Sequence, residues 1–251
     1  MSRNIAISAL ILLISINTQA DWNVQAKLMP QQIEYKLTIN DTLKGDSSIG
    51  GMGIGVSAIH SSGWFLDVEN TVGDDPVEGF NYEDYDTYTD SIDNTVSRND
   101  TSVSIGHSEG GVSIFAGYKL TETSVGCGEC VPDTTRLATD FRFTTSGIYL
   151  GAAKTFQLAQ KHYSTLSIAL GQMSAQYRPE INGAIESKTG TSFGYGFTAS
   201  YLYAISSNWM LSTGLKQQSY SYSGMSAGDT FDVDSAKEEF STLFFKAAYT
   251  F

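Results

Sequence analysis

The chain has 251 residues, with 15 Lys and Arg against 27 Asp and Glu, so its formal net charge is −12. This acidic balance argues against a nucleic-acid-binding protein, which normally carries a basic face. Aromatic residues make up 12% of the chain, which argues against disorder, and its 24 glycines are unfavourable inside α-helices, which argues against an α-helical enzyme.

The first predicted element is an export signal. Arg3 precedes an apolar run over residues 5–16, and Thr18-Gln19-Ala20 provides small residues at the usual spacing before a cleavage site at Asp21. Residues 1–20 are therefore predicted to be a cleaved secretory signal peptide, with a retained N-terminal anchor as the alternative. The run is shorter than the roughly 20 residues of a spanning helix, and no later segment is apolar for long enough to form one. The mature domain is expected over residues 21–251.

The rest of the sequence alternates with a period of two. In residues 193–205, Phe193, Tyr195 and Phe197 begin an aromatic face, while the opposite face is small and neutral. Successive side chains of a strand point to opposite sides, so this pattern fits a wall with lipid outside and a lumen inside. It predicts an all-β fold, a closed antiparallel up-and-down transmembrane β-barrel of ten strands, with eight as the alternative. The predicted strands are 33–40, 49–60, 64–72, 96–107, 112–121, 142–156, 163–177, 193–205, 209–222 and 240–251.

One predicted strand changes its pattern along its length. Around residues 142–156, Phe141 and Phe143 have one parity, whereas Ile148 and Leu150 have the other. This change fits either a β-bulge or a segment that still lies outside the membrane.

The connections between the predicted strands alternate in length. Short links at 61–63, 108–111, 157–162 and 206–208 separate long polar links near 41–48, 73–95, 121–141, 179–191 and 224–239. One end of the barrel should therefore carry short turns and both termini, and the other end five long loops.

The second long loop is strongly acidic. Carboxylates at this density can attract a divalent cation through oxygen ligands, whereas a solvated surface loop is the alternative, because most charge runs are solvent-exposed. No defined metal site and no cofactor are predicted. The carboxylates of this loop are Asp74, Asp75, Glu78, Glu83, Asp84, Asp86, Asp90 and Asp93. A smaller acidic group in the last long loop comprises Asp229, Asp232, Asp234, Glu238 and Glu239.

The two cysteines, Cys127 and Cys130, form a CGEC motif in the third long loop. In a cytosolic protein this spacing would indicate redox chemistry or half of a zinc site, but no second pair or nearby His completes such a site. Because the chain is expected to reach an oxidising compartment, a disulfide between the two cysteines is predicted.

The chain ends in LFFKAAYTF, with Phe245, Tyr249 and Phe251 on one face. With its signal peptide and strand pattern, the sequence resembles the bacterial (Gram-negative) outer-membrane β-barrel proteins, which end their last strand with a terminal aromatic residue and alternate apolar residues. The resemblance implies a small porin-like member of the cell outer membrane, in contact with lipid and lipopolysaccharide. It also implies that Phe245, Tyr249 and Phe251 form a signal read by the barrel-assembly machinery.

The predicted inner face is mostly small. Ten strands lined in this way would leave water-filled space, since barrel width grows with strand number; alternatively, the glycines permit tight coiling and aromatic neighbours cover the gaps. Seven charged residues on this face would either plug the lumen or set its ion preference. The small residues include Gly51, Gly53, Gly55, Ser102, Ser104, Gly151, Gly194, Ser212 and Gly214, and the charged residues are Asp67, Glu69, Arg98, Asp100, Lys119, Lys216 and Lys246.

The three histidines, His60, His107 and His162, are each predicted beside a short turn, far from the acidic loops. A His-centred general base at the outer rim is therefore missing, and an enzyme is not expected. The leading expectation is a narrow porin-like channel for the passive passage of small solutes. The alternative is a structural or adhesive surface protein whose acidic loops bind a partner while the barrel anchors it.

Overall fold

The computed structural model of the chain describes residues 21–40, 43–75, 81–83, 94–127, 140–181, 184–185, 187–225 and 235–251. The signal peptide predicted over residues 1–20 lies outside this part of the chain. Among the described residues there is no helix long and apolar enough to cross a membrane. The elements are β1 (Trp22–Ile39), β2 (Leu43–His60), β3 (Trp64–Asp75), β4 (Asn81–Glu83), β5 (Asn94–Glu109), β6 (Val112–Cys127), β7 (Asp140–Ala159), β8 (His162–Ile181), β9 (Ala184–Ile185), β10 (Lys188–Ala204), β11 (Trp209–Ser223) and β12 (Ser235–Thr250).

Ten long strands of the described chain form one closed antiparallel barrel. Each pairs with its neighbours along the chain, and β1 pairs with both β2 and β12, which closes the sheet. The two short strands, β4 and β9, pair with β2 and β8. Closure satisfies the backbone hydrogen-bonding groups without leaving an exposed edge, as a membrane requires. The predicted fold class and the count of ten strands are confirmed.

The two ends of the barrel differ, and we call them the turn end and the loop end. The turn end carries the connections 61–63, 110–111, 160–161 and 205–208, together with Phe251. Gly110 and Gly111 both adopt positive φ, a region that favours glycine, which allows a two-residue hairpin there. The longer connections lie at the loop end.

The first hairpin corrects the predicted boundaries. β1 begins at Trp22 rather than residue 33, and β2 begins at Leu43 rather than residue 49, so the long link predicted at 41–48 is wrong and the connection covers only residues 40–42. In the described chain the loop end therefore carries four long connections rather than five. Pro30 lies within β1, where it pairs with Met52 of β2, whereas the register with β12 skips it because proline has no N–H to donate.

The other strands are where they were predicted, but most extend further towards the loop end. β6 continues to Cys127 rather than residue 121, and β10 begins at Lys188 rather than residue 193. β12 begins at Ser235 rather than residue 240, so placing Glu238 and Glu239 in the last loop was wrong, and both lie within the strand.

The outer face of the barrel has two zones. The turn-end half carries a belt of exposed apolar side chains, including Ile54, Ile105, Ile148, Leu211 and Phe245. Towards the loop end the outer face is polar, with exposed Glu34, Lys36, Arg142, Arg178 and Ser221. The longest strands have 20 residues, whereas about 9–11 are enough to cross a membrane. The belt therefore marks a membrane-spanning half, and the loop-end half projects beyond it.

Aromatic side chains border the belt at the turn end. Trp64 and Trp209 are about half exposed there, and the Trp209 ring packs against Tyr249 with 5.0 Å between ring centroids. Amphipathic aromatic rings favour the boundary between lipid and water. The turn end therefore lies at a membrane surface.

Candidate functional site: the barrel lumen

The loop-end half of the lumen is filled by a hydrophobic core. Phe240 stacks on Tyr35 with 5.0 Å between ring centroids, and Phe143 contacts Tyr177 at 4.8 Å and Tyr222 at 5.1 Å. All five side chains are almost completely buried. This half has water outside and apolar side chains inside, as a water-soluble barrel has. The other members of the core are Ile33, Leu37, Ile39, Ile49, Val96, Val125, Met173, Ala175, Tyr220, Met225 and Ala236.

Small residues of the inner face leave room for large neighbours. A Cβ atom added at Gly214 would lie 2.7 Å from the Phe244 ring, and one added at Gly151 would collide with the Phe115 ring. At these positions the glycines leave room for aromatic rings, and covering a glycine with an aromatic ring is one known way in which sheets support their glycines. These contacts fit the interpretation of the small inner face in which aromatic neighbours cover the gaps.

A buried carboxylate, Glu238, lies within the loop-end core. It is 0% exposed, accepts a hydrogen bond of 3.0 Å from the Tyr35 hydroxyl, and also accepts one from the Tyr222 hydroxyl. Burial raises the pKa of the Glu238 carboxyl, and Arg98 with the hydrogen-bond donors opposes that rise only in part. Burial, and then the neighbouring carboxylate, raises the pKa of Tyr222 well above 10.0, so this phenol stays a donor.

Arg98 and Asp100 form a polar layer directly below the core. The Arg98 Nη2 atom lies 2.9 Å from Asp100 Oδ1, its Nη1 donates a hydrogen bond of 2.8 Å to Thr123, and its guanidinium stands 3.5 Å above the centre of the Phe240 ring. Lys119 Nζ lies 3.2 Å from the other Asp100 oxygen. A cavity of about 10 Å³ beside this layer is the size of one water molecule.

The turn-end half of the lumen is polar and less tightly closed. Lys27 forms an ion pair with Asp67, whose carboxylate also accepts a hydrogen bond of 2.6 Å from Ser57. The inner-face serines Ser102 and Ser200 are partly exposed, unlike the side chains of the loop-end core. Water can therefore reach the inner wall of this half.

All seven charged residues predicted for the lumen lie on the inner face. Their partners in the strand register are themselves inward-facing: Asp67 opposes Ser104, and Lys216 opposes Thr242. Only Asp100, Arg98 and Lys119 are joined in one ion-pair cluster by the contacts described above. The seven are Asp67, Glu69, Arg98, Asp100, Lys119, Lys216 and Lys246.

Sequence reasoning missed three charged residues of the inner face: Lys27, Glu238 and Lys188, which is 3% exposed and was placed in the long link 179–191. Lys27 precedes the predicted first strand, and Glu238 was placed in a loop. The signal that could have found them is the alternation itself: Lys27 has the same parity as Ile33, and Glu238 the same parity as Phe240.

Most of the predicted acidic loop lies outside the described residues. Asp74 is exposed near the end of β3, Asp75 ends that strand, and Glu83 ends β4. The other members, Glu78, Asp84, Asp86, Asp90 and Asp93, fall outside the described chain. Cys127 ends β6, and Cys130 lies beyond the described residues, so the disulfide stays a prediction.

The three histidines lie at the turn end, where the sequence predicted them. His60 Nδ1 lies 2.6 Å from the Ser62 hydroxyl, and His107 Nε2 lies 3.0 Å from the Ser62 carbonyl oxygen. His162 hydrogen-bonds to the Tyr201 hydroxyl. Ser62 belongs to the short turn 61–63, and Tyr201 lies near the turn end of β10.

The C-terminal aromatic residues face outward. Phe245 and Phe251 are 57% and 58% exposed, and the Tyr249 ring packs against Phe251. The Phe251 amide donates a hydrogen bond of 3.0 Å to the Val24 carbonyl, so the last residue helps to join β12 to β1. Their role as an assembly signal stays a prediction.

The comparisons with known proteins identify the fold. No family model matches the sequence, and no curated protein matches it. The outer membrane protease OmpT from Escherichia coli is similar over 93% of this chain and 98% of that chain, with a TM-score of 0.61 at 10% identity. The translocator domain of the autotransporter NalP from Neisseria meningitidis is similar over 100% and 98%, with a TM-score of 0.49 at 9% identity. Neisserial surface protein A is similar over 92% and 97%, with a TM-score of 0.40 at 12% identity.

The likeness to OmpT shows that the chain has the fold of the Gram-negative outer-membrane β-barrel proteins. At this identity the likeness concerns the fold alone. The apolar belt and its aromatic border fit the membrane in which such barrels reside.

Proposed function

We propose that this protein is a closed barrel of the outer membrane that presents its loop end to a partner at the cell surface. The turn end is taken as periplasmic and the loop end as extracellular, because short turns face the periplasm in this fold. The observation that carries the proposal is the core around Phe240 and Tyr35, which fills the extracellular half of the lumen. A barrel with such a core anchors its loops without conducting solutes.

The chemistry of the partner follows from the loops. The sequence from Gly73 to Asn94 contains eight carboxylates and no Lys or Arg. A surface of this charge attracts a basic partner or a divalent cation, and the attraction weakens as salt is added. The partner is therefore proposed to be a positively charged macromolecular surface.

Conductance tests the closed lumen. Refolded protein in planar bilayers should give no single-channel steps, while a general porin examined in parallel should give them. Regular steps from correctly folded protein would refute the proposal.

Binding of biotinylated poly-lysine to cells that display the protein tests the partner. Replacing Asp84 and Asp86 with Asn should weaken binding, whereas the matched control pair Glu34→Gln and Asp46→Asn on the projecting wall should leave it unchanged. Equal binding by the two variants would contradict the assignment to the acidic loop.

The second candidate is the narrow porin-like channel for small solutes. The observation that favours it is the polar, partly exposed turn-end lumen with Asp67, Glu69 and Lys246. Conduction would require the core around Phe240 to move aside. Single-channel steps that grow when Phe240 is replaced by alanine would support this candidate against the first.

We also propose that the barrel is not an enzyme. The support is the position of His60, His107 and His162 at the turn end, a strand length away from the acidic loops. A general base must lie within hydrogen-bond reach of the proton that it removes. Hydrolysis of a peptide or lipid substrate that is abolished by His162→Ala would contradict this.

A further inference from the structure

The turn-end half of the lumen is a recess that is closed on one side. Its inner-face residues Ser102, Ser104, Ser167 and Ser200 are partly exposed. Above them lie the Arg98–Asp100 layer and the hydrophobic core, which close the lumen towards the loop end. We call this space, lined by the inner face of the turn-end half, the recess.

The recess and the polar layer above it hold more cations than carboxylates. Asp67 is paired with Lys27, and Asp100 is shared between Arg98 and Lys119. Three cations therefore form ion pairs with two carboxylates. The remaining carboxylate, Glu69, faces two further lysines.

Those two lysines, Lys216 and Lys246, form no ion pair with any residue that the structure describes. Both lie on the inner face of neighbouring strands, Lys216 opposite Thr198 and Thr242, and Lys246 opposite Ser212. Lys246 is within electrostatic range of the cations Lys27 and Lys216 and of the carboxylates Glu69 and Asp67. Lys216 is within range of Lys119, Glu69 and Asp100, so the five cations of this region share three carboxylates. Like charges confined in a lumen repel one another, and a bound anion would relieve that repulsion.

We propose that the recess binds a small phosphate-type oxyanion, which enters from the turn end and is held by Lys216 and Lys246. Lysine ammonium groups bind phosphate oxygens through charge-assisted hydrogen bonds. The hydroxyls of Thr198, Ser212 and Thr242 lie beside these lysines in the register and provide further donors. Because the core separates the recess from the loops, this site is independent of surface binding, and either proposal can fail without the other.

Calorimetric titration of the refolded mature barrel with inorganic phosphate, at constant ionic strength in zwitterionic detergent, tests the site. The wild type should bind with saturation, and the double variant Lys216→Met/Lys246→Met should bind at least about tenfold more weakly because two charge-assisted contacts are lost. Lys237→Met, on the projecting outer wall with 44% of its side chain exposed, is the matched control and should bind as the wild type does. The absence of saturable binding by the wild type would overturn the proposal, as would unchanged binding by the double variant.

A chemical measurement keeps the proposal testable if the double variant fails to fold. A thiol introduced by Ser200→Cys in the recess should react faster with an anionic methanethiosulfonate than with a cationic one, and phosphate should slow the anionic reagent. A preference for the cationic reagent, or a lack of protection by phosphate, would overturn the proposal.

Discussion

Replacing Phe240 with alanine should destabilise the barrel strongly, because this ring is central to the loop-end core. Phe240 is 1% exposed, stacks on Tyr35 at 5.0 Å, and carries the Arg98 guanidinium 3.5 Å above its ring. Truncation of a buried phenylalanine to alanine costs about 3–5 kcal/mol. A cation–π contact away from water contributes about 2 kcal/mol, so the loss should lie near the upper end of that range.

The assay is equilibrium unfolding in urea of the refolded barrel, followed by tryptophan fluorescence. Ser241→Ala, the next residue on the exposed outer wall of the same strand, is the control and should change the free energy of unfolding by less than about 0.5 kcal/mol. A loss below about 1 kcal/mol for Phe240→Ala would refute the reasoning, because it would mean that the loop-end lumen is not a packed core.

Three further predictions concern other parts of the barrel. Because burial raises the pKa of Glu238, the stability that depends on its proton is present below the ordinary value of 4.5 and is lost as the pH rises above it; Glu238→Gln should remove this part of the pH dependence of unfolding. Lys27→Met leaves Asp67 without its ammonium partner and should cost about 1–3 kcal/mol in urea unfolding, less than for a fully buried pair because Asp67 is 23% exposed on its side chain. Deletion of Phe251 should lower the amount of protein inserted in the outer membrane, measured by immunoblot of membrane fractions.

Each of these predictions has an outcome that would contradict it. An unchanged pH slope in Glu238→Gln would show that this carboxyl does not titrate differently in the folded barrel. If Lys27→Met/Asp67→Asn were no more stable than Lys27→Met alone, the uncompensated carboxylate would not be the cause of the loss. Normal insertion of the variant that lacks Phe251 would show that Phe251 is not part of the assembly signal.

The membrane-spanning part of the fold could be predicted from the sequence because lipid demands an apolar side chain at every second position of each strand. Ile105, Ile148, Phe197 and Phe245 all lie on the exposed belt as that rule requires. The outer face of each membrane-spanning segment contacts only lipid, so the rule applies at every outward position of that segment. The location of nine of the ten strands follows from it, whereas for β1 only the projecting part after residue 33 was predicted and the part that begins at Trp22 was missed.

The projecting half was harder to predict, because alternation identifies two faces without showing which one is inside. On β7, Phe143 is buried in the core whereas Ile148 is exposed on the belt, yet the register between these positions is continuous and has no bulge. The change of parity therefore marks the level at which lipid outside gives way to water. The interpretation as a segment outside the membrane is the one that this strand fits.

The charges of the candidate site were predictable only inside the predicted strands. Asp67 and Lys119 were found because the alternation within the predicted strands places them on the inner face. Lys27 and Glu238 were missed because a carboxylate or ammonium near a predicted strand end looks like an ordinary loop residue. Their burial depends on contacts with Asp67 and with Tyr35 and Tyr222, which come from distant parts of the chain.

The length of the strands determines how far the barrel extends beyond the membrane. Twenty residues at about 3.3 Å each, tilted by about 40°, rise about 50 Å, of which the hydrocarbon layer occupies about 25 Å. At β7 and β8 the wall of the barrel therefore extends about 25 Å beyond the hydrocarbon layer. Anything that approaches the barrel from its loop end would meet the polar side of this wall, with the exposed Arg142 and Arg178, before it meets the bilayer.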